Sequence, residues 1–386
     1  MWIKRFFKLR FARRREACRT IATEYPGGTL TDSVCSGPKS MVNFSSIASL
    51  PIRSPLPKTS EAKKACCVTA ISEDRFAFGG NDGDLTIMSS SGFEVMAHFF
   101  GHERRITAMC GTQSNGGMVY TGSRDRTILV WNEDKGLVNK IFPAHELVIT
   151  GLAVGADGFQ LVSGSRDNYV RLWDVERRKC IANKRISRNL VTHICWRWVA
   201  GHGGGGMIAQ SSEDKSTRLY DYRDLQLIGE TKRKDQIQTC CELSPDLRYL
   251  ITTSHNSMGS RIKCEATVWD VRTMKELYVF TDQTGPLSTC RCLSQTCSKH
   301  GPSGESSLTT VATGSAEGNL CFWTVSSQER PTTLTSCNLE GAGRLGAIEQ
   351  LDPNRFVIAT DLGGLVVIRT ITHEDVITGV KLVRTI

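Results

Sequence analysis

The chain has 386 residues, 40% of them hydrophobic and 23% charged, the balance of a folded globular protein rather than a disordered or collagen-like one. No run of about 18 apolar residues is free of charge, so no membrane-spanning helix is expected. Of the net charge of +9, residues 1–19 hold +7, and a body carrying only +2 argues against nucleic acid bound along the whole surface.

Residues 1–20 form a basic amphipathic segment. At 100° per residue, Trp2, Ile3, Phe6, Phe7, Leu9 and Phe11 share an arc of about 200°, with Lys4, Arg5, Lys8 and Arg15 on the other face and Arg10 and Arg14 intruding. Such a segment can lie in the headgroup region of an anionic membrane, and Trp2, Lys4, Arg5, Phe6, Phe7 and Lys8 are its candidate membrane contacts. Two rival readings are a transit peptide and a nuclear signal built on Arg10–Arg15. Residues 21–58, with their Ser, Gly and Pro, read as a flexible linker. Residues 59–386 read as short strands between turns, rich in Gly and poor in helical periodicity.

Two segments of that region align without gaps: YTGSRDRTILVWNEDKG from Tyr120 and VSGSRDNYVRLWDVERR from Val162. Each reads as a strand, a Gly-Ser-Arg-Asp turn and a second strand ending in Trp, with the turn Asp six residues before it (Asp125 to Trp131, Asp167 to Trp173). Weaker copies place Met88, Tyr220, Trp269, Trp323 and Ile368 at the Trp position. The seven anchors are spaced by 42 to 54 residues, the period of a four-stranded propeller blade with loop insertions. The strands alternate outward and inward residues, as at Ile128/Val130 and Val170/Leu172.

These residues resemble the WD-repeat β-propeller family, over about residues 59–386. The resemblance implies an all-β, seven-bladed propeller, with Val380–Ile386 as the outer strand of blade 7 and Val95–Phe100 as that of blade 1. Closure by the segment near Ile47–Arg53 is the alternative. It also implies a buried hydrogen-bond chain in each complete repeat, from a His through a strand hydroxyl and the turn Asp to the Trp. The candidates are His102, Asp125 and Trp131, then His145, Asp167 and Trp173. Blades 4 to 7 lack the His and are expected to rely more on apolar packing. Strings from Val148 to Arg272, such as SRNLVTHICW and DQIQTCCELSPD, resemble a branch of the family associated with ciliary trafficking.

Other candidates are weaker. Ala200–Gly206 (AGHGGGG) has no following Lys-Ser/Thr and reads as a solvated loop, not a phosphate cradle. Gln295–Ser307 reads as a mobile surface insertion. Cys290, Cys292, Cys297 and His300 lack the spacing of a standard zinc site, and His193 reads as a packed core residue. The 15 scattered cysteines read as reduced, mostly buried thiols. Arg124 and Arg166 precede the turn Asp, where the family resemblance places the top rim. Arg104, Arg105 and Arg188 lie in the loops leading into blades 2 and 4. Together they form a patch suited to carboxylates.

The function expected is a non-enzymatic protein-interaction scaffold without metal or cofactor: a monomeric propeller within a complex, cytoplasmic, with membrane or ciliary-base association carried by the N-terminus and the resemblance. The alternatives are an RNA-binding propeller using the arginines and a metal-dependent enzyme using the Cys/His loop of blade 6.

Overall fold

In the computed structural model, strands numbered β1 to β28 in chain order pair antiparallel into seven four-stranded sheets, each built from four consecutive strands. The residues described are 65–386, apart from 113–116, 142–143, 187–189, 199–205, 256–263, 284, 300–305, 327–329, 363 and 374–375. The expected basic segment (1–20) and linker (21–58) lie outside them, as do the alternative closing segment and Arg188.

The first strand of each sheet lies innermost. These are β1 (Ala65–Ser72), β5 (Ile106–Thr112), β9 (Ile149–Val154), β13 (Val191–Trp198), β17 (Ile237–Leu243), β21 (Leu287–Lys299) and β25 (Leu345–Asp352). Each touches the next, and β25 touches β1, so the ring closes. The seven anchors fall on the third strands: β3 (Leu85–Ser89), β7 (Ile128–Asn132), β11 (Tyr169–Asp174), β15 (Thr217–Asp221), β19 (Ala266–Asp270), β23 (Asn319–Val325) and β27 (Gly364–His373). The molecule is a seven-bladed, all-β propeller.

Three local expectations are revised by packing. First, the third strands have no outward face. Leu129 and Trp131 of β7 pack on Phe99 and Ile87 of blade 1, while Ile128 and Val130 pack on Ile149 and Leu161 of blade 3. The period of two therefore sorts residues between neighbouring blades, not between core and water. Second, Gly122 and Gly164 are strand residues rather than turn residues. A Cβ on Gly122 would meet Ile149 Cγ2 at 2.6 Å, and one on Gly164 would meet Val191 Cγ1 at 2.5 Å, so each Gly makes room for the next innermost strand. The turns themselves put Arg126 (φ 73°) and Asn168 (φ 69°) in the left-handed region. Third, the described residues of the insertion Gln295–Ser307, 295–299 and 306–307, are strand: Lys299 pairs with Ser306 and Cys297 with Leu308, lengthening the β21 hairpin beyond a bulge.

Blade 7 is completed by β28 (Val376–Thr385), which pairs with β27 through Arg369↔Lys381 and Val367↔Arg384. Blade 1 is likewise completed by β4 (Val95–Phe99). The seam between these blades is side-chain packing: Val68, Phe76 and Met88 against Val357, Leu365 and Val367. Arg355 Nη1 adds a bond to Ser90 O at 2.7 Å. Deleting residues 380–386 should uncover Ile368 and Leu365 and abolish the single cooperative transition seen by calorimetry. An unchanged transition would refute this closure.

Candidate functional site

One register organises the loops above each blade. The second residue or so of each innermost strand carries Cys67, Thr107, Thr150, Thr192, Thr239, Ser288 or Gly346. The hydroxyls bridge adjacent blades. Thr150 Oγ1 donates to Val191 O (2.6 Å), Thr192 to Gln238 O (2.6 Å), Thr239 to Leu287 O (2.9 Å) and Ser288 to Leu345 O (2.6 Å). Thr107 donates likewise to Ile149 O. Cys67 Sγ stands 3.9 Å from Ile106 O, and the Cβ that Gly346 lacks would stand 3.2 Å from Cys66 O.

In blades 2, 3, 5 and 6 the residue five before the bridge caps the anchor Trp. In blade 2 this is His102. Its Nδ1 is 2.9 Å from Asp125 Oδ2, its Nε2 is 2.8 Å from Thr121 Oγ1, and Trp131 Nε1 donates to the same hydroxyl at 2.8 Å. In blade 3 His145 repeats this with Asp167 (2.9 Å) and Ser163 (2.6 Å), and Trp173 Nε1 reaches Ser163 at 2.7 Å. An ionised carboxylate can only accept, so the histidine donates to it from Nδ1; in the neutral ring Nε2 then accepts the hydroxyl proton, and the hydroxyl oxygen takes the indole N–H. Burial alone would raise the Asp125 pKa. The bonds from His102 and Thr127 overcome it and hold the carboxyl well below its usual range. Burial lowers the pKa of His145, which favours its neutral form.

The other blades do not simply fall back on apolar packing, as the missing histidines suggested. In blade 5 the capping position holds Lys234, bonded to Glu265 (2.8 Å) and Glu276 (2.6 Å) and lying 5.4 Å over the Trp269 ring. In blade 6 it holds Gln283, whose Nε2 donates to Thr313 O at 3.0 Å. Blade 4 has Tyr220 for Trp, and Arg218 pairs with Asp214 (2.7 Å) and Glu230 (2.8 Å). The signal for Lys234 and Gln283 was present in the sequence, five residues before Thr239 and Ser288, but it is legible only once the bridging hydroxyl defines the count.

The rim arginines sit on turns that the backbone ties down. Arg124 N donates to Arg105 O (3.0 Å) and Arg166 N to Val148 O (3.0 Å), and Glu213, Ala316 and Asp361 hold the same position in blades 4, 6 and 7. The side chains of Arg104, Arg105, Arg124 and Arg166 are all exposed. Arg105 reaches Asp361 at 3.7 Å. Among the described residues no ion pair ties Arg104, Arg124 or Arg166 to Glu103, Glu146 or Glu213. Sequence reasoning missed Arg344, which shares a cavity of about 390 Å³ at the channel mouth with Arg166, Glu213 and His255.

Deeper in the channel lies a second cavity, of about 200 Å³. His193 lines it, half-buried, instead of packing in the core. An unanticipated ion-pair chain crosses four innermost strands there: Arg197–Glu242 (3.3 Å), Glu242–Arg291 (3.6 Å) and Arg291–Glu349 (2.7 Å). Cys290 and Cys292 lie buried in one apolar cluster with Cys240 and Val311. The side chain of Cys297 and all of His300 lie outside the described residues. Among the described residues no group of three or more His, Cys, Asp or Glu could hold a metal, and the described cysteines are free thiols.

Against known proteins, the family description "WD domain, G-beta repeat" matches residues 93–132 and 136–174. This chain is a WD-repeat β-propeller. Each matched unit of the WD repeat starts at or just before an outer strand and ends with the third strand of the next blade, so the sequence repeat and the blade are one strand out of step. The chain is 23% identical over 146 residues to pre-mRNA-processing factor 19 of Bos taurus, covering 38% of this chain and 28% of that protein. It is 33% identical over 93 residues to cross-pathway control WD-repeat protein 2 of Flammulina velutipes (23% and 30%). It is 25% identical over 308 residues to coronin-7 of Rattus norvegicus (74% and 30%). The matches thus span less than a third of each relative's length.

The bond from the anchor Trp recurs in blades 2, 3, 5 and 6. Trp131→Ala should cost about 3–5 kcal/mol, as for a large buried aromatic. His102→Ala, which removes one buried partner from each of Thr121 and Asp125, should cost roughly 1–3 kcal/mol. Denaturant titration checks both, and near-wild-type stability of the pair would contradict the packing described.

Proposed function

We propose that this WD-repeat propeller is a non-enzymatic scaffold whose rim over blades 2 and 3 takes an acidic protein segment. Propellers of this kind typically act as protein-interaction scaffolds. The observation carrying the finer reading is that Arg124 and Arg166, on backbone-pinned turns, and Arg104, whose carbonyl accepts from Ser123 Oγ, are exposed with no ion-pair partner among the described residues. Guanidinium groups held on a rigid base lose little entropy when they pair bidentately with carboxylates. The turn position in blades 4 and 7 carries Glu213 and Asp361, so the acidic segment is directed to one side of the ring. Arg124→Glu combined with Arg166→Glu should remove at least one protein from the proximity-labelled set of the intact chain and shift the melting temperature by only a few degrees, as surface substitutions do. An unchanged set sinks this reading.

A second attachment rests on residues 1–19, where the +7 charge accompanies Trp2, Phe6 and Phe7. At about 1 kcal/mol per basic residue near an anionic surface, this segment can hold the propeller at a membrane. A peptide of residues 1–20 should float with anionic liposomes, and Phe6→Ser with Phe7→Ser should release it. Binding that survives both substitutions but not high salt would leave only electrostatic adhesion. Work in ciliary trafficking is the setting suggested by the strings between Val148 and Arg272.

A further inference from the structure

The channel mouth is floored by groups that can only accept protons. A hydroxyl has one proton. That of Thr150 lies against Val191 O (2.6 Å) and Gly164 O (3.3 Å). That of Thr239 lies against Leu287 O (2.9 Å) and Thr253 O (3.1 Å), and that of Ser288 against Leu345 O (2.6 Å) and Gly314 O (3.2 Å). Thr192 gives its proton to Gln238 O, so Ser211, 2.8 Å away, must donate to it. All four hydroxyls line the 390 Å³ cavity, and what they offer it is lone pairs. The half-buried Glu213 lines the same cavity and has no ion-pair partner among the described residues.

An anion entering this cavity would find its donors in the exposed guanidinium groups of Arg166 and Arg344 on the lining, and none on the hydroxyl floor. A group rich in N–H meets partners already oriented. We propose that the mouth takes the ammonium or guanidinium head of a lysine or arginine side chain from a bound protein segment, held by Glu213 and the hydroxyls of Thr150, Thr192 and Thr239. Arg166 and Arg344, exposed on the same lining, oppose a bare cation. They admit a basic side chain when its neighbours in the segment are carboxylates that engage them. The inference rests on the acid-binding reading of the rim and narrows it: the partner is an acidic segment interrupted by one basic residue.

The test uses the full chain, immobilised, and four decamer peptide libraries with randomised Asp/Glu-rich flanks. The libraries differ only in a fixed central residue: lysine, arginine, norleucine or aspartate. The lysine and arginine libraries should be retained about tenfold better than norleucine, the scale of one charge-assisted hydrogen bond. Glu213→Gln, which keeps the side-chain shape, should remove that difference, as should Thr192→Val in a preparation with an unchanged melting temperature. Equal retention of all four libraries, or preference for aspartate, overturns the inference. If that retention is still lost in Arg124→Glu/Arg166→Glu, the rim reading survives it. No retention above that double variant overturns both.

Discussion

Sheets set radially about one axis share no ladder of backbone hydrogen bonds, so the join between blades rests mainly on side chains, with single backbone bonds at the loops such as Lys234 N to Lys215 O. Two kinds make it. Apolar residues of both faces interlock between neighbours, as Leu129 and Trp131 do with blade 1 and Ile128 and Val130 with blade 3. Burial at about 25 cal/mol per Å² makes this the larger energy. The hydroxyl bridges from Thr107 round to Ser288 each contribute only about 1 kcal/mol net, but they are directional and fix how one innermost strand sits against the next. The glycines that face these strands follow from the same constraint: Gly79, Gly122, Gly164 and Gly314 stand where Ile106, Ile149, Val191 and Leu345 approach too closely for a Cβ.

The capping position shows what that constraint leaves free. The Trp-to-hydroxyl bond is kept in four blades, while the group placed above it changes from His102 and His145 to Lys234 and Gln283. What the site needs is a polar group seated above the Trp bond, and different chemistry can supply it, although Gln283 leaves its own Oε1 buried and unpaired. In blade 3 a neutral imidazole relays between hydroxyl and carboxylate, in blade 5 an ammonium over Trp269 satisfies two glutamates, and in blade 6 an amide donates to a strand carbonyl. Because these groups hold the loops from beneath, the charged side chains on the rim stand on a stiff base. That is the property a binding surface uses.

Much of this architecture was legible in the residues alone. A turn acid six residues before an aromatic or apolar anchor, present in five of the seven copies, is a local pattern set by hairpin geometry. All seven anchors lie on third strands. Short-range spacing likewise places Arg124 and Arg166 at that turn, whereas the two histidine chains were an expectation from the family resemblance, their His and Asp lying 23 and 22 residues apart. Lys234, Gln283, Arg344 and the chain Arg197–Glu242–Arg291–Glu349 were not. Each takes its meaning from residues about 30 to 60 positions away or from the opposite side of the mouth, and no periodicity within one repeat points to them.

The sequence by itself determined the number of blades, their strand order and the chemistry of the turns, because each depends on contacts within a few residues. Tertiary structure alone decided which hydroxyl protons are spent between blades and so which polarity the channel mouth presents. It also decided that the strand faces look at neighbouring blades and not at water, and that the chain closes on its own last strand. These are properties of a ring, in which each sheet acquires its second face only when the next one is in place.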